Sequence, residues 1–452
     1  MRKIASASGL ILTFLSSWLL LWCGSEANTH TSNDGSATSE AGSPEDAATI
    51  FRSCGSWKGS FVPGNFVSGW RDMVIVDGRA VLVTRSDGPE LFGATSVSAT
   101  DKDGLLVEFG LSPLEPIAAM ISGRAGEDEF EAVAVHTSGD RIVAGYQTES
   151  TDAGNGLPWL TLERRSVAGA VSWRKAWDNV GSVERMLPLP NGDILFAGSQ
   201  GNPRARKFDT ITTAPESVWV VRVAGDTGAV IWATSFGSSG NASVFLLSIS
   251  ANGEIAVAAQ TRTSGSFIGD MTVARLSQET GAILGKQFVD GTGDGIQPGL
   301  VPRGGFAYGA ESFVVAGSLH GTLGNPDALV DSGAKEIKAL AAGYSIVDAG
   351  LQWQVLTSMG KSSGSHAAYH HVVHKEKEGL FLACSSSLQC EERLTATGAL
   401  VRSFSFPKAD EVDRLVYHAG KYFVASTSIE SESDGAGVQR TGRRHALYCF
   451  EE

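Results

Sequence analysis

The chain has 452 residues, a formal net charge of −13 at pH 7, 19% charged residues, 54 glycines and 10 tryptophans. A surplus of negative charge of that size excludes electrostatic capture of nucleic acid or of an anionic lipid surface. Low charge density with abundant glycine and scattered aromatics fits an exported all-β chain, and no long amphipathic helix is discernible.

Arg2 and Lys3 open the chain, and Ile4 to Trp22 follow without a charge up to Cys23. That is the build of a secretory signal over residues 1–22. The alternative is a membrane anchor, because about 20 apolar residues span a bilayer. The residues after the apolar stretch favour the signal: Cys23, Gly24, Ser25 and then a polar run without Lys or Arg. Residues 23–49 cannot bury enough apolar surface to offset their ordering entropy, so they are expected to form a disordered tether. Leu20-Leu21-Trp22-Cys23 resembles a bacterial lipobox, with Trp22 standing where that motif carries a small residue. The resemblance implies a diacylglycerol on Cys23 and a place in the bacterial cell envelope. Gly24 rather than Asp after the cysteine implies the outer membrane in a Gram-negative host.

The remaining residues, 50–452, are more than one ordinary core organises, so either several domains or a repeat is expected. A repeat is visible. Residues 185–190 and 194–199 flank the turn Asn191-Gly192-Asp193, and residues 217–223 and 229–236 flank Asp226-Thr227-Gly228. Short β-branched and aromatic runs between such turns are antiparallel strands of a meander. The same plan is carried by runs at 130–136, 141–147, 157–165 and 169–177, and again at 245–250, 254–260, 271–277 and 282–288. It continues through 304–310, 312–318, 338–345 and 351–358, then 370–379, 380–386, 390–398 and 399–406. A degenerate unit occupies 71–78, 80–86, 95–101 and 104–110. Four strands in roughly 45 to 60 residues is the content of one β-propeller blade.

The last unit has only three runs, 414–420, 421–428 and 445–450, before the chain ends. Its fourth is expected from the N-terminal side, where Trp57 and the serine and aromatic after it match the pattern around Trp232. The expectation is a seven-bladed β-propeller of four-stranded antiparallel blades, the last closed by the N-terminal strand, since an open ring would leave bare edges. The cysteines fit it. With Cys23 lipidated, four remain for an oxidising compartment. Cys384 and Cys390 flank one hairpin loop, and Cys54 and Cys449 fall in the two strands that closure pairs. The alternative is four buried thiols.

Residues 235–281 resemble the bacterial repeat family called SBBP, through Gly237 to Gly240, Asn252-Gly253, and Gly269-Asp270 before a Val-x-Arg-Leu strand. That resemblance implies a propeller in a secreted or surface protein. Asp226-Thr227-Gly228 followed by Trp232 is similar to the tryptophan-docking repeat of quinoproteins, which implies that Trp57, Trp173, Trp232 and Trp353 pack between blades. Cys384 and Cys390 are not adjacent as the quinone-bracketing cysteines of that family are, and no matching ligand set is present.

Residues that could carry chemistry are few. Gly360-Lys361-Ser362-Ser363-Gly364 has the spacing of a nucleophile elbow but joins two blades without the helix that motif needs. His366, His370, His371 and His374 cluster, with His370 and His374 on one strand face; two imidazoles are too few for a closed zinc site. Asp290 and Asp294 could offer oxygens to calcium. The loop from Ser199 to Glu216, with Arg204, Arg206 and Lys207, is the candidate contact surface. The expectation is a monomeric, non-catalytic binding or scaffold protein of the cell envelope. Its partner is a protein or glycan, it touches the membrane only through its lipid, and it has no cofactor and no catalytic or metal-binding residues. The alternative is a hydrolase or lyase working at the central channel.

Overall fold

The computed structural model describes residues 51–452 apart from 60–61, 64–68, 87–88, 93–94, 99–101, 123–126, 149–158, 179, 201–204, 238–241, 262–269, 290–298, 310, 321–336, 349, 358–368, 386–387, 407–411 and 434–438. Seven antiparallel sheets follow one another as four-stranded blades of a ring, the last also pairing the short strand Val62–Pro63 with residues 442–443. Blade 1 is Asp72–Val76, Arg79–Ser86, Asp103–Leu111 and Leu114–Ile121, and blade 2 is Asp128–Val135, Arg141–Gln147, Trp159–Arg165 and Val171–Asp178. Blade 3 is Ser182–Pro188, Ile194–Ser199, Val218–Val223 and Val230–Phe236, and blade 4 is Ala242–Ile249, Ile255–Thr261, Asp270–Leu276 and Ile283–Val289. Blade 5 is Gly299–Tyr308, Ser312–His320, Ile337–Ser345 and Leu351–Thr357, and blade 6 is His371–Lys375, Leu380–Cys384, Gln389–Leu394 and Leu400–Ser405. Blade 7 is Val412–His418, Lys421–Ser433 and Gln439–Glu451, completed on its outer edge by Arg52–Lys58.

Each blade buries both faces. In blade 1, Leu82, Leu105 and Val107 pack toward Phe423 and Leu447 of blade 7, while Val81, Val83 and Leu106 pack toward Val133 and Val143 of blade 2. Side chains alternate across a strand, so a central run apolar at every position serves two interfaces at once. Among the described residues there are seven such apolar clusters, one for each junction between neighbouring blades. The first strands of neighbouring blades touch one another around the axis.

Closure is by mixed termini. Arg52 pairs with Glu451 and Lys58 with Ala446, and a disulfide joins Cys54 to Cys449 at a Cα–Cα distance of 5.1 Å. A second disulfide joins Cys384 to Cys390 across the hairpin of blade 6, at 4.1 Å. Trp57 on the closing strand packs edge-on against Phe109 of blade 1, with ring centroids 4.8 Å apart. The other outer-strand tryptophans also reach the next blade. The Trp173 indole N–H donates to the Gly225 carbonyl at 2.9 Å, and that of Trp232 to the Gln278 carbonyl at 3.1 Å. Trp173 and Trp232 lie over Gly228 and Gly281, and Trp353 lies over Gly398, where a Cβ would overlap the ring.

Blade 1 departs from the expected strands. Residues 95–98 form not its third strand but the second half of an accessory hairpin with Pro89–Phe92, and its fourth strand is Leu114–Ile121. Pro116 disguises that strand; an outer edge tolerates a proline whose nitrogen faces away from the neighbouring strand.

Candidate functional site

In a four-stranded meander the loops between second and third strands, and those between blades, gather at one end. The tight turns gather at the other. Here the first end carries the accessory hairpin 89–98, the insert 200–217, and the tip of the 13-residue strands Lys421–Ser433 and Gln439–Glu451. The opposite end carries short turns such as 136–140, 189–193 and 250–254. The long-loop end is also where the first strands begin, and so where the mouth of the central channel is built.

Those first strands share a local irregularity. In blades 2, 3, 4, 5 and 7 the register between first and second strands slips by one residue, leaving Glu131, Glu184, Phe245, Arg303 and Asp413 unpaired in the ladder. A bulge of this kind re-aims side chains and bends the strand. It also crowds the strand opposite: a Cβ on Gly145 would overlap the Glu129 carbonyl, and one on Gly198 the Ser182 carbonyl. The Ala-Gly pair in the second strands, Ala144-Gly145 and Ala197-Gly198, answers to that crowding.

Acids at the start of three first strands clasp the next blade: Asp72 from a regular ladder, Glu131 and Glu184 from the bulges. Val133 N–H donates to Asp72 Oδ2 at 3.0 Å, Val183 N–H donates to Glu131 Oε2 at 2.9 Å, and Val244 N–H donates to Glu184 Oε2. On the other side of the ring the His371 Nε2 lies 3.0 Å from the Val412 carbonyl, and Arg414 Nη2 donates to the Arg71 carbonyl. Between the clasps lies a recess of about 250 Å³ lined by Arg71, Glu131, Glu184, Arg185, Phe245 and Arg414, among others.

Its electrostatics are set by enclosure. Burial, helped by the neighbouring Glu129 carboxylate, pushes the Glu131 carboxyl up to about 8 despite its bond from Val183 and the nearby Arg71. Burial raises Glu184 too, against the Ser199 hydroxyl and the Val244 amide. Burial lowers the Arg414 guanidinium; Asp72 and Asp413 work against the shift, Arg185 and Arg71 with it. Burial, with Arg414 and His370 beside it, holds His371 down to about 3. Near neutral pH the recess therefore pairs a largely protonated carboxyl with three guanidiniums. A site of this type can hold a polar ligand, and a carboxyl kept protonated can act as a proton donor.

The residues singled out by sequence fall in several places. Cys23 lies outside the described residues, as do Asp290, Asp294, Arg204, His366 and the segment 360–364. His370 and His371 sit at the channel mouth, whereas His374 stacks on Phe306 with centroids 4.1 Å apart, toward the turn end. Among the described residues no three His, Cys, Asp or Glu side chains gather as a metal site. Arg206, expected on a contact surface, is 2% exposed. Its Nε donates to Gln200 Oε1 at 3.1 Å, and desolvation lowers its guanidinium to about 10. The insert packs inward because Phe208 fills a gap against Trp177, whose indole N–H donates to Asp209 at 3.1 Å. Sequence reasoning missed Glu131, Glu184, Arg185 and Arg414. Their signal is an acid at the start of a blade's first run, followed in the second run by Ala-Gly or Ala-Ser.

No family model and no curated protein matches the chain. Solved structures do. The WD40 repeats of RRP9 align with 8% identity and a TM-score of 0.52, over 89% of this chain and 100% of that one. The chain is a seven-bladed β-propeller. BamB from Moraxella catarrhalis aligns at 9% identity and a TM-score of 0.42, covering 89% of this chain and 100% of its own. A europium-containing methanol dehydrogenase aligns at 11% and 0.44, covering 84% and 81%. At such identities the likeness is one of fold.

Proposed function

We propose that this propeller is a monomeric, non-catalytic binding module of the bacterial cell envelope, tethered through a diacylglycerol on Cys23, which takes part of a protein or glycan partner at its channel mouth. The observation that carries the reading is the coincidence, at one end of the ring, of the long loops and a charged recess. Propellers bind where loops of several blades converge, because each blade then contributes one side chain to a shared surface. The lipobox-like Leu20-Leu21-Trp22-Cys23 and the SBBP-like segment support the address.

The anchor is tested by Cys23→Ser and cell fractionation: the chain leaves the membrane fraction, and unchanged retention counts against the lipid. The binding face is tested with the full chain on arrays of envelope glycans and peptides. Binding is expected to be lost with Arg185→Glu at the loop end and kept with Lys377→Glu on the opposite turn. The reverse pattern would place the partner on the wrong face for this reading.

A second reading has one observation in its favour. A carboxyl titrating at about 8, as Glu131 does, is protonated when a hydrolase or lyase would need a general acid. Under that reading a bound glycan is cleaved, and Glu131→Gln stops cleavage while leaving binding intact.

A further inference from the structure

The charge balance inside the recess points to what it holds. Arg185 directs Nη1 to the Glu184 carbonyl at 2.6 Å and Nε to the Phe245 carbonyl at 3.3 Å. Arg414 directs Nη1 to its neighbour's carbonyl, Asp413 O, at 2.7 Å and Nη2 to that of Arg71. Among the described residues neither forms an ion pair with a carboxylate, whereas other arginines of this protein do, Arg141 gripping Glu108 through two bonds of 2.7 Å. Main-chain carbonyls orient a guanidinium without neutralising it, and the neighbouring carboxylates, Asp72 and Asp413 for Arg414 and Glu184 for Arg185, act on the two only through space. Arg71, 47% exposed, adds a third at the rim and bonds Glu129 through Nε.

We propose that the channel mouth is a carboxylate-binding site, in which Arg185 and Arg414, with Arg71 at the rim, hold a single carboxylate of the ligand beside the Glu131 carboxyl. This rests on the reading of the channel mouth as the binding site and names the group that site takes. Guanidinium forks match a planar carboxylate through paired hydrogen bonds. A protonated Glu131 is a hydrogen-bond donor to that carboxylate rather than a repelling charge. Asp72, Glu184 and Asp413 nearby favour a monoanion over a phosphate dianion, because each further negative charge on the ligand would face theirs. The recess of about 250 Å³ suits one such group and its first carbons.

The experiment uses the isotope-labelled full chain and three probes: acetylglycine, its neutral amide, and inorganic phosphate. Acetylglycine is expected to shift the backbone amides of Val183, Val244 and Phe245 saturably. The half-saturating concentration should rise at least tenfold in Arg185→Gln and several-fold in Arg71→Gln. Arg71→Gln keeps the test open if the more enclosed Arg185→Gln misfolds. Should the neutral amide or phosphate move the same signals at equal or lower concentration, the carboxylate site is overturned while a channel-mouth binding site of other chemistry stands. Should none of the three move them, the carboxylate site is overturned, and the binding face is then judged on the array experiment alone.

Discussion

Replacing Cys54 and Cys449 by alanine tests the ring closure. The bridge spans a sequence separation of 395, so in the chain-entropy account it restrains the unfolded chain by about 6 kcal/mol at most. The Cys384–Cys390 bridge, with a separation of 6, gives about 2 kcal/mol on the same account. The first figure is a ceiling, because strand Arg52–Lys58 keeps its ladder with 446–451 and the Trp57 contact with Phe109 when the sulfurs are gone. Guanidinium unfolding of the wild type and both double alanine variants, followed by tryptophan fluorescence, gives the comparison. The Cys54/Cys449 variant is expected to lose about two to three times as much stability as the Cys384/Cys390 variant. If loss of the short bridge costs as much as loss of the long one, the closing strand does not hold the ring and the reasoning fails.

Three further outcomes are expected. Glu131 rises from its ordinary 4.5 to about 8 in the folded protein, so the native state keeps a proton that the unfolded chain releases, and stability falls as pH rises across that interval. Between pH 6.5 and 8, above the range where the depressed His371 and His445 contribute, Glu131→Gln should flatten the slope of unfolding midpoint against pH. Trp232→Ala removes a 6%-exposed indole together with its bond to Gln278 and should cost about 3–5 kcal/mol in chemical unfolding, whereas Trp232→Phe should cost less. Lys375, its side chain 1% exposed, bonds Glu378 and Glu392 at 2.7 Å and Glu452 at 3.1 Å, so Lys375→Ala removes the cation shared by three carboxylates and leaves Arg402 as the remaining basic partner of Glu392 and Glu452; it should cost at most about 3–5 kcal/mol, with Glu392→Gln in the same background recovering part of the loss.

The architecture was legible because its rules are local. Turn residues such as Asn191-Gly192-Asp193 marked the hairpins, and runs apolar at every position marked strands buried on both faces. The closing strand announced itself through Trp57 and through a cysteine that needed a partner. Where sequence misled, local rules conflicted with tertiary ones. Leu114–Ile121, with Pro116 inside it, lacks the usual signature of a strand yet forms one on an outer edge, and residues 95–98 looked like a blade strand but pair in a separate hairpin. Arg206 looked like surface charge, yet the inward packing of Phe208 carries it into the interior. The channel mouth was the least legible part. A bulge is a one-residue slip in register between two strands, and nothing in Glu131 or Glu184 taken singly distinguishes it from a residue on a regular ladder. Only comparison of the blades with one another reveals the position.

The closing strand also determines how the ring bears load. The described chain enters blade 7 at Phe51 and Arg52, next to Glu451 at the turn end, and the strand then runs toward the loop end. A pull from the N-terminal side would unzip such a strand one hydrogen bond at a time, the mode in which a sheet is weakest. Here it meets Cys54 after two residues of strand and passes through sulfur into Gln439–Glu451, which is paired along its length with Lys421–Ser433. Tension is thereby spread over a whole blade. The strand begins at the turn end, so such a load would enter the ring on the side away from the recess.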